Sequence, residues 1–402
     1  MAERRSPNPA RSWNRIDGVD CLRALAIFYV LLNHIGLQLI FAGVPFRQHL
    51  PRLLVTDLIW QGQRGVQIFF AVSGFLITST SLRRWGSLAQ VRPRDFYAIR
   101  FARIAPLFFA LLVVLSVLHL AGVPHFVVSP RVGGLKSALN AALTLRVGLF
   151  EARHGYFPGS WGILWSLSVE EMFYLFFPIA SRLPGRGKLL VILLAGFAVA
   201  GPFARTMLTH GNPVWREYSY LGSMDAIALG CLTALIVSGR TLSRMLNRSL
   251  VVCGLALLSL CLIFDPVASW LRLEELGLDM TVVAVGACLV ITAAATSGWK
   301  MTGPFRFALL YGRRSYEIYL THMFVVVACF GVLARLGRPL WLVAPVLIVV
   351  TGLAGALGEA VARFYSEPAN QALRSRMGDA PGRLGSVVEG ELHPIQEVHH
   401  HV

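Results

Sequence analysis

Residues 15–34 read RIDGVDCLRALAIFYVLLNH, an apolar run that opens on Arg23 and carries His34 deep inside it. The run suits lipid, whose hydrocarbon core takes roughly 20 helical residues to cross. An ionisable group near the bilayer centre costs about 2.5–3.5 kcal/mol on insertion scales, so a histidine there asks for a function. Arg23 and His34 are eleven residues apart. At ~100° per residue that is about three full turns, which places both on one helical face about 16 Å apart along the axis.

The pattern repeats along the chain. Of 402 residues, 55% are hydrophobic and only 14% charged, whereas soluble domains carry about 25% charged residues. Mean hydropathy is +0.61. Ten runs can span a bilayer, at about 20–43, 64–82, 98–122, 161–181, 189–209, 220–238, 249–266, 278–297, 305–334 and 340–362. Backbone groups must be paired within lipid, and continuous apolar runs suit helices better than the alternating strands of a barrel. The expected fold is all-α: a polytopic transmembrane helical bundle of about ten spans over residues 16–370. A cytoplasmic segment, 1–15, precedes it, and a disordered cytoplasmic tail, 371–402, follows.

The net charge of +16 has its simplest source in the positive-inside rule. With Arg23 set aside, 24 Lys and Arg residues fall on the side of the N-terminus and 12 on the other. Both termini are therefore expected in the cytoplasm. No basic, aromatic-studded soluble module is present, which excludes nucleic acid as a partner. Cys21, Cys231, Cys253, Cys261, Cys288 and Cys329 lie in or beside apolar runs without a CxxC pair, so they read as packing residues. No grouping has the ligand spacing of a metal site such as HExxH, and His399–His401 on the polar tail read as non-specific. The basic N-terminus lacks a cleavage pattern and reads as a lead into the first span. The loop at 123–160 falls outside and holds a moderately apolar piece near 135–150 that suits a surface helix.

Other runs carry polar groups too. In SWGILWSLSVEEMFYLFFP, residues 160–178, Glu170 lies about 14 Å in from Trp161 at ~1.5 Å per residue, comparable in depth to His34. Tyr174 shares its face by i,i+4 spacing. YGRRSYEIYLTHMF, residues 311–324, brings Tyr319 and His322 into the ninth run, and the sixth run carries Asp225. One buried histidine can simply bond a neighbouring helix, but ionisable residues in four runs point to a polar cavity. In YAIRFARIAP, residues 97–106, Arg100 and Arg103 share a face at the cytoplasmic rim. The positive-inside rule alone accounts for such a pair, yet guanidinium forks also suit phosphate oxygens.

Taken in order, these pieces resemble the bacterial membrane acyltransferase-3 family over roughly residues 14–370. DGVDCLRALAIFYVLLNH is similar to its Arg–ten residues–His motif, GVQIFFAVSGFLIT to its second span, and IRFARIAP to its Arg-x-x-Arg motif. WSLSVEEMFYLFFP, MDAIALGCLTA, SYEIYLTH and FYSEPANQ follow in the family's order. One departure is Ser223, where the family often has an arginine two positions before the equivalent of Asp225.

The resemblance implies a multi-pass enzyme of the bacterial cytoplasmic (inner) membrane. It would move an acyl group, usually acetyl, from cytoplasmic acyl-CoA to a hydroxyl of an extracytoplasmic or lipid-linked carbohydrate. His34 and Glu170 are the expected catalytic residues, His34 as general base with Glu170 orienting it or stabilising its imidazolium; an acyl-enzyme route, with Ser or His carrying the acetyl group, is the alternative. Arg23, Arg100, Arg103, Tyr174, Tyr319, His322 and Asp225 are expected to bind donor or substrate. Expected partners are the bilayer, acetyl-CoA as co-substrate, the glycan or glycolipid acceptor and glycan-assembly proteins, with no tightly bound cofactor or metal. Many relatives add a C-terminal hydrolase-like domain, so transfer here is expected to finish in the bundle or on a partner. The rival reading is a transporter or flippase, since intramembrane ionisable residues also line solute pathways. Against it, no paired broken spans suggest inverted repeats.

Overall fold

The computed structural model describes residues 16–44, 46, 59–183, 187–209, 211–303, 306–337 and 339–377. The segment 1–15 and the His399–His401 tract lie outside the described residues, within which the secondary structure is helical with no strand. Ten stretches are long and apolar enough to cross a membrane. Their helices are α1 Asp17–Phe41, α2 Gly62–Trp85, α3 Pro93–Leu120, α4 Leu164–Ser181 and α5 Lys188–Met207. They continue as α6 Tyr220–Val237, α7 Arg244–Leu262, α8 Asp279–Ser297, α9 Ser315–Arg335 and α10 Val343–Val361.

Lipid gives helices no hydrophobic reason to associate, so contact depends on close backbone approach at small residues. α2 and α6 use this most strongly. A Cβ on Gly74 would lie 1.9 Å from Ile227 O, and one on Gly230 would lie 2.0 Å from Ala71 O. α1 is central, packed against α2, α8 and α9, so its polar residues look inward at neighbouring helices.

The ninth apolar run, expected to be continuous over about 305–334, is broken. A short helix, Phe307–Arg313, ends at Arg314, and α9 starts anew at Ser315. Charge sets the break. Arg313 Nε donates to Asp20 Oδ2 at 3.2 Å, and Arg314 Nε donates to Glu359 Oε2 at 2.6 Å. A Cβ on Gly312 would fall 1.8 Å from Asp20 O, so only glycine lets the short helix press onto α1.

After α10 a wide, π-type turn over Ala362–Ser366 leads into a helix at Glu367–Arg376 that packs on α3. Pro368 cannot donate to the preceding turn, and its place in the first turn of this new helix needs no N–H. Arg314 also pairs with Glu367, and the helix runs past the expected boundary at 370.

The 123–160 connection is folded rather than loose, holding helices at Gly134–Leu143 and Val147–His154. Its last part, with a single turn at Gly159–Gly162, is pinned from both sides. Ser160 Oγ donates to His125 O at 3.0 Å and Trp161 Nε1 to Phe126 O at 3.1 Å.

Candidate active site

His34 and His322 meet across α1 and α9. Their ring centroids are 4.8 Å apart, edge to face. His34 Nδ1 lies 2.9 Å from Val30 O and 3.3 Å from His322 Nε2. His322 is fully buried, with Nδ1 2.7 Å from Tyr319 O and 3.2 Å from Ile318 O. A carbonyl oxygen only accepts, so the ring nitrogen facing it must carry the proton. That assigns Nδ1–H to both rings. His322 Nε2 is then a lone pair that accepts from His34 Nδ1–H, and His34 Nε2 is left as the unprotonated nitrogen. A half-buried His34 thus presents a base, held by a second histidine.

Tyr319 sits one turn away on α9. Its hydroxyl donates to Ile163 O at 2.9 Å and accepts from Ser166 Oγ at 2.7 Å. Gly159 closes the same corner, since a Cβ there would come 3.2 Å from Met323 Cε and 4.0 Å from His34 Cδ2.

Towards the N-terminal ends of α1 and α9 the chemistry changes. Arg23 Nε donates to Ser315 Oγ at 3.0 Å, so α1 and α9 run parallel, pairing Arg23 with Ser315 at one level and His34 with His322 at the other. Arg103, Glu170 and Glu317 face Arg23. The Arg100 guanidinium lies 4.3 Å over the Tyr174 ring and faces Glu170 and Glu171. Glu170 is hydrogen bonded to Ser73, whose Oγ also bonds the Tyr174 hydroxyl. Tyr316 Oη donates to Ile104 O at 2.9 Å, tying α9 to α3 beside Arg103. Among the described residues none of the three arginines closes an ion pair within 4.0 Å of a carboxylate. Ser315 holds Arg23 at Nε and the Tyr174 ring lies against Arg100.

Two sequence expectations need correction. Glu170 does not orient His34; among the described residues the polar partners of the His34 ring are Val30 and His322, and Glu170 belongs with the arginines. The expected depth does not hold either: Gly159, not Glu170, lies level with His34, and the Glu170 carboxylate sits further along α4 beside Ser73 and the arginines. Asp225, placed with the binding residues, is elsewhere. It forms a two-pronged pair with Arg205, at 3.1 Å from Nη1 to Oδ1 and 2.8 Å from Nη2 to Oδ2. Both side chains are fully buried. Thr281 Oγ1 and Ala226 N–H fill the remaining carboxylate positions at 2.6 and 2.9 Å. The arginine missing at Ser223 is supplied from α5. Arg205 was overlooked although the same rule that marks a buried aspartate marks an arginine inside an apolar run. Ser73, Ser166 and Ser315 were also missed, because a serine in a span carries no signal until its partner is known.

An imidazole lone pair inside a helical bundle, with guanidinium groups free of close ion pairs further along α1 and on α3, is the equipment of a membrane-embedded group-transfer protein. Residues 16–359 match the family described as an acyltransferase domain. The chain belongs to this acyltransferase-3 family. It is similar to the peptidoglycan O-acetyltransferase OatA of Listeria monocytogenes, 24% identical over 81% of this chain and 52% of that one. It is also similar to the O-acetyltransferase OatA of Staphylococcus aureus, 22% identical over 78% of this chain and 51% of that one. The chain spans about half the length of these curated relatives. No solved structure matches it significantly.

Proposed function

We propose that the protein is an integral membrane O-acyltransferase that moves an acetyl group from acetyl-CoA, bound at the cytoplasmic face, to a hydroxyl of a peptidoglycan glycan outside. The observation that carries this is the His34–His322 contact, which leaves His34 Nε2 as a base in the middle of the bundle. Arg23, Arg100 and Arg103 hold the phosphates of the donor, as guanidinium forks suit. The pantetheine arm then runs between α1 and α9 towards His34, the span separating Arg23 from His34 being about 16 Å.

His34 Nε2 takes the proton of the acceptor hydroxyl while its oxygen attacks the thioester carbonyl. The carbon–sulfur bond breaks, and the imidazolium returns the proton to the departing CoA thiolate. His322 Nε2 and Val30 O accept from Nδ1–H throughout, holding the tautomer and stabilising the imidazolium much as a carboxylate does beside other catalytic histidines. Donor and acceptor meet without either crossing the bilayer. The relatives' names support acetyl transfer, and that of the Listeria protein supports peptidoglycan as acceptor.

The test is purified protein in proteoliposomes, with labelled acetyl-CoA on one side and peptidoglycan fragments on the other. Label should pass to the fragments with release of CoA, and the His34→Ala variant should lose the roughly 10²–10⁴-fold that positioned proton transfer contributes, at an unchanged membrane level. Full transfer by His34→Ala removes the base. Solute counterflow without CoA release supports a transporter instead.

A further inference from the structure

One carboxyl outside the membrane-spanning helices is nearly as buried as Asp225. Glu151, in the helix Val147–His154, is only 2% exposed. Its Oε1 accepts from Phe157 N–H at 3.0 Å, while Oε2 is buried without a partner. A Cβ on Gly162 would fall 3.1 Å from Oε1 and 3.9 Å from Phe157 O. Oε1 therefore lies against both ends of the Phe157–Gly162 segment. Gly159 of that segment faces the His34 ring and Met323, and Ile163 O at its end accepts from Tyr319.

We propose that Glu151 is a positioning residue: in its protonated form it clamps the Phe157–Ile163 segment over His34 and Tyr319, and so fixes the acceptor-side wall of the site. The proposal rests on His34 acting as the base. Glu151 touches no reacting atom and acts through the segment.

The surroundings agree with a neutral carboxyl. The titratable groups facing it are Tyr156 in the following loop, Tyr218 from the short helix Pro213–Tyr218 and Tyr319 from α9. Glu217, beside Tyr218, faces the same two tyrosines, Tyr156 and Tyr218. No cation is among them within the described residues. Stacked rings close the sides, Phe150 on Phe157 at 4.8 Å and Trp165 on Tyr218 at 4.5 Å. Burial raises the Glu151 carboxyl from 4.5 to about 8, opposed only by the Phe157 N–H. A folded value above the unfolded one means that the clamp contributes fully below pH 4.5 and is lost as pH rises through about 8. The ionised carboxylate must find water, and the tightly packed segment has to open to admit it.

The experiment compares the full-length protein with Glu151→Gln and Glu151→Leu in proteoliposomes, reading two signals between pH 6.5 and 9.5. The first is hydrogen–deuterium exchange of peptides covering 155–163, which needs no turnover. The second is acetyl transfer from acetyl-CoA to peptidoglycan fragments. In the wild type, protection of 155–163, corrected for intrinsic exchange, should fall at least 3-fold as pH passes about 8, while other loops stay level. Glu151→Gln, which keeps an acceptor for Phe157 N–H but cannot ionise, should flatten that profile and keep neutral-pH transfer within 2-fold. Glu151→Leu should leave the segment unprotected at every pH, with kcat reduced more than KM for acetyl-CoA. A wild-type protection profile that is flat across pH 8, or one that Glu151→Gln leaves unchanged, overturns the clamp. If exchange behaves as expected while His34→Ala retains transfer, the clamp stands and the histidine reading falls.

Discussion

Two groups of arginines and carboxylates in this bundle, one fully buried and one partly exposed, behave as opposites. Between α5 and α6, Arg205 and Asp225 are matched one to one, fully buried, with Gly277 O and Thr281 completing the donor and acceptor count. Between α1, α3, α4 and α9, Arg23, Arg100 and Arg103 share their surroundings with Glu170, Glu171 and Glu317. No close ion pair forms there among the described residues, and one Glu171 oxygen is buried without a partner. A closed pair costs desolvation and repays it with itself. An open cluster repays it only when something else arrives. In a membrane, satisfaction of the hydrogen-bonding groups tells structure from site better than the presence of charge does.

Breaking the closed pair should produce the largest effect on folding. Asp225→Ala leaves a guanidinium buried without its counter-charge, at a cost of about 3–5 kcal/mol. It should appear as a large drop in detergent melting temperature and membrane level, with the KM for acetyl-CoA of the surviving protein unchanged. A double Arg205→Met, Asp225→Leu variant should recover most of that stability, because paired apolar replacement is often neutral. Retained stability in Asp225→Ala would end the contrast.

Replacing Arg100 and Arg103 together with Gln should do the reverse. Each lost charge-assisted hydrogen bond is worth about 1.5–3 kcal/mol, so with two lost the KM for acetyl-CoA should rise roughly 10²–10⁴-fold, with the melting temperature nearly unmoved. Steady-state rates against donor concentration measure it, and an unchanged KM would deny the cluster its ligand.

The smallest effect sharpens the picture at the far end of α1. His322→Ala removes one neutral hydrogen bond, worth about 0.5–1.5 kcal/mol, and with it the tautomer control on His34. The expected outcome is a several-fold fall in kcat at constant KM. A fall as deep as that of His34→Ala would give His322 a direct part in the chemistry.

Much of this was legible beforehand. Each apolar run became helical, the ninth as two helices, because in lipid the backbone has no other way to pair. Arg23 with His34 and Arg100 with Arg103 are expected on shared faces from spacing alone; the structure sets Arg23 near Arg103 and Glu170, and His34 against His322. Where reading failed, it failed at placement between helices. Glu170 was judged by a depth counted from Trp161, and that count does not say which neighbour a side chain meets. The break at Arg314 was hidden because its cause, pairing with Glu359 and Glu367, lies far along the chain.

By itself the sequence determined the ten apolar spans, since hydropathy is a property of neighbouring residues, and its ordered motifs carried the resemblance to the family. Tertiary structure alone decided that His322 holds His34 across 288 residues of chain, that Arg205 answers Asp225, and that Glu170 serves the arginines. Those pairings depend on which polar faces the packed helices turn towards each other, and close approach at small residues such as Gly74 and Gly230 sets that orientation only once the bundle has formed.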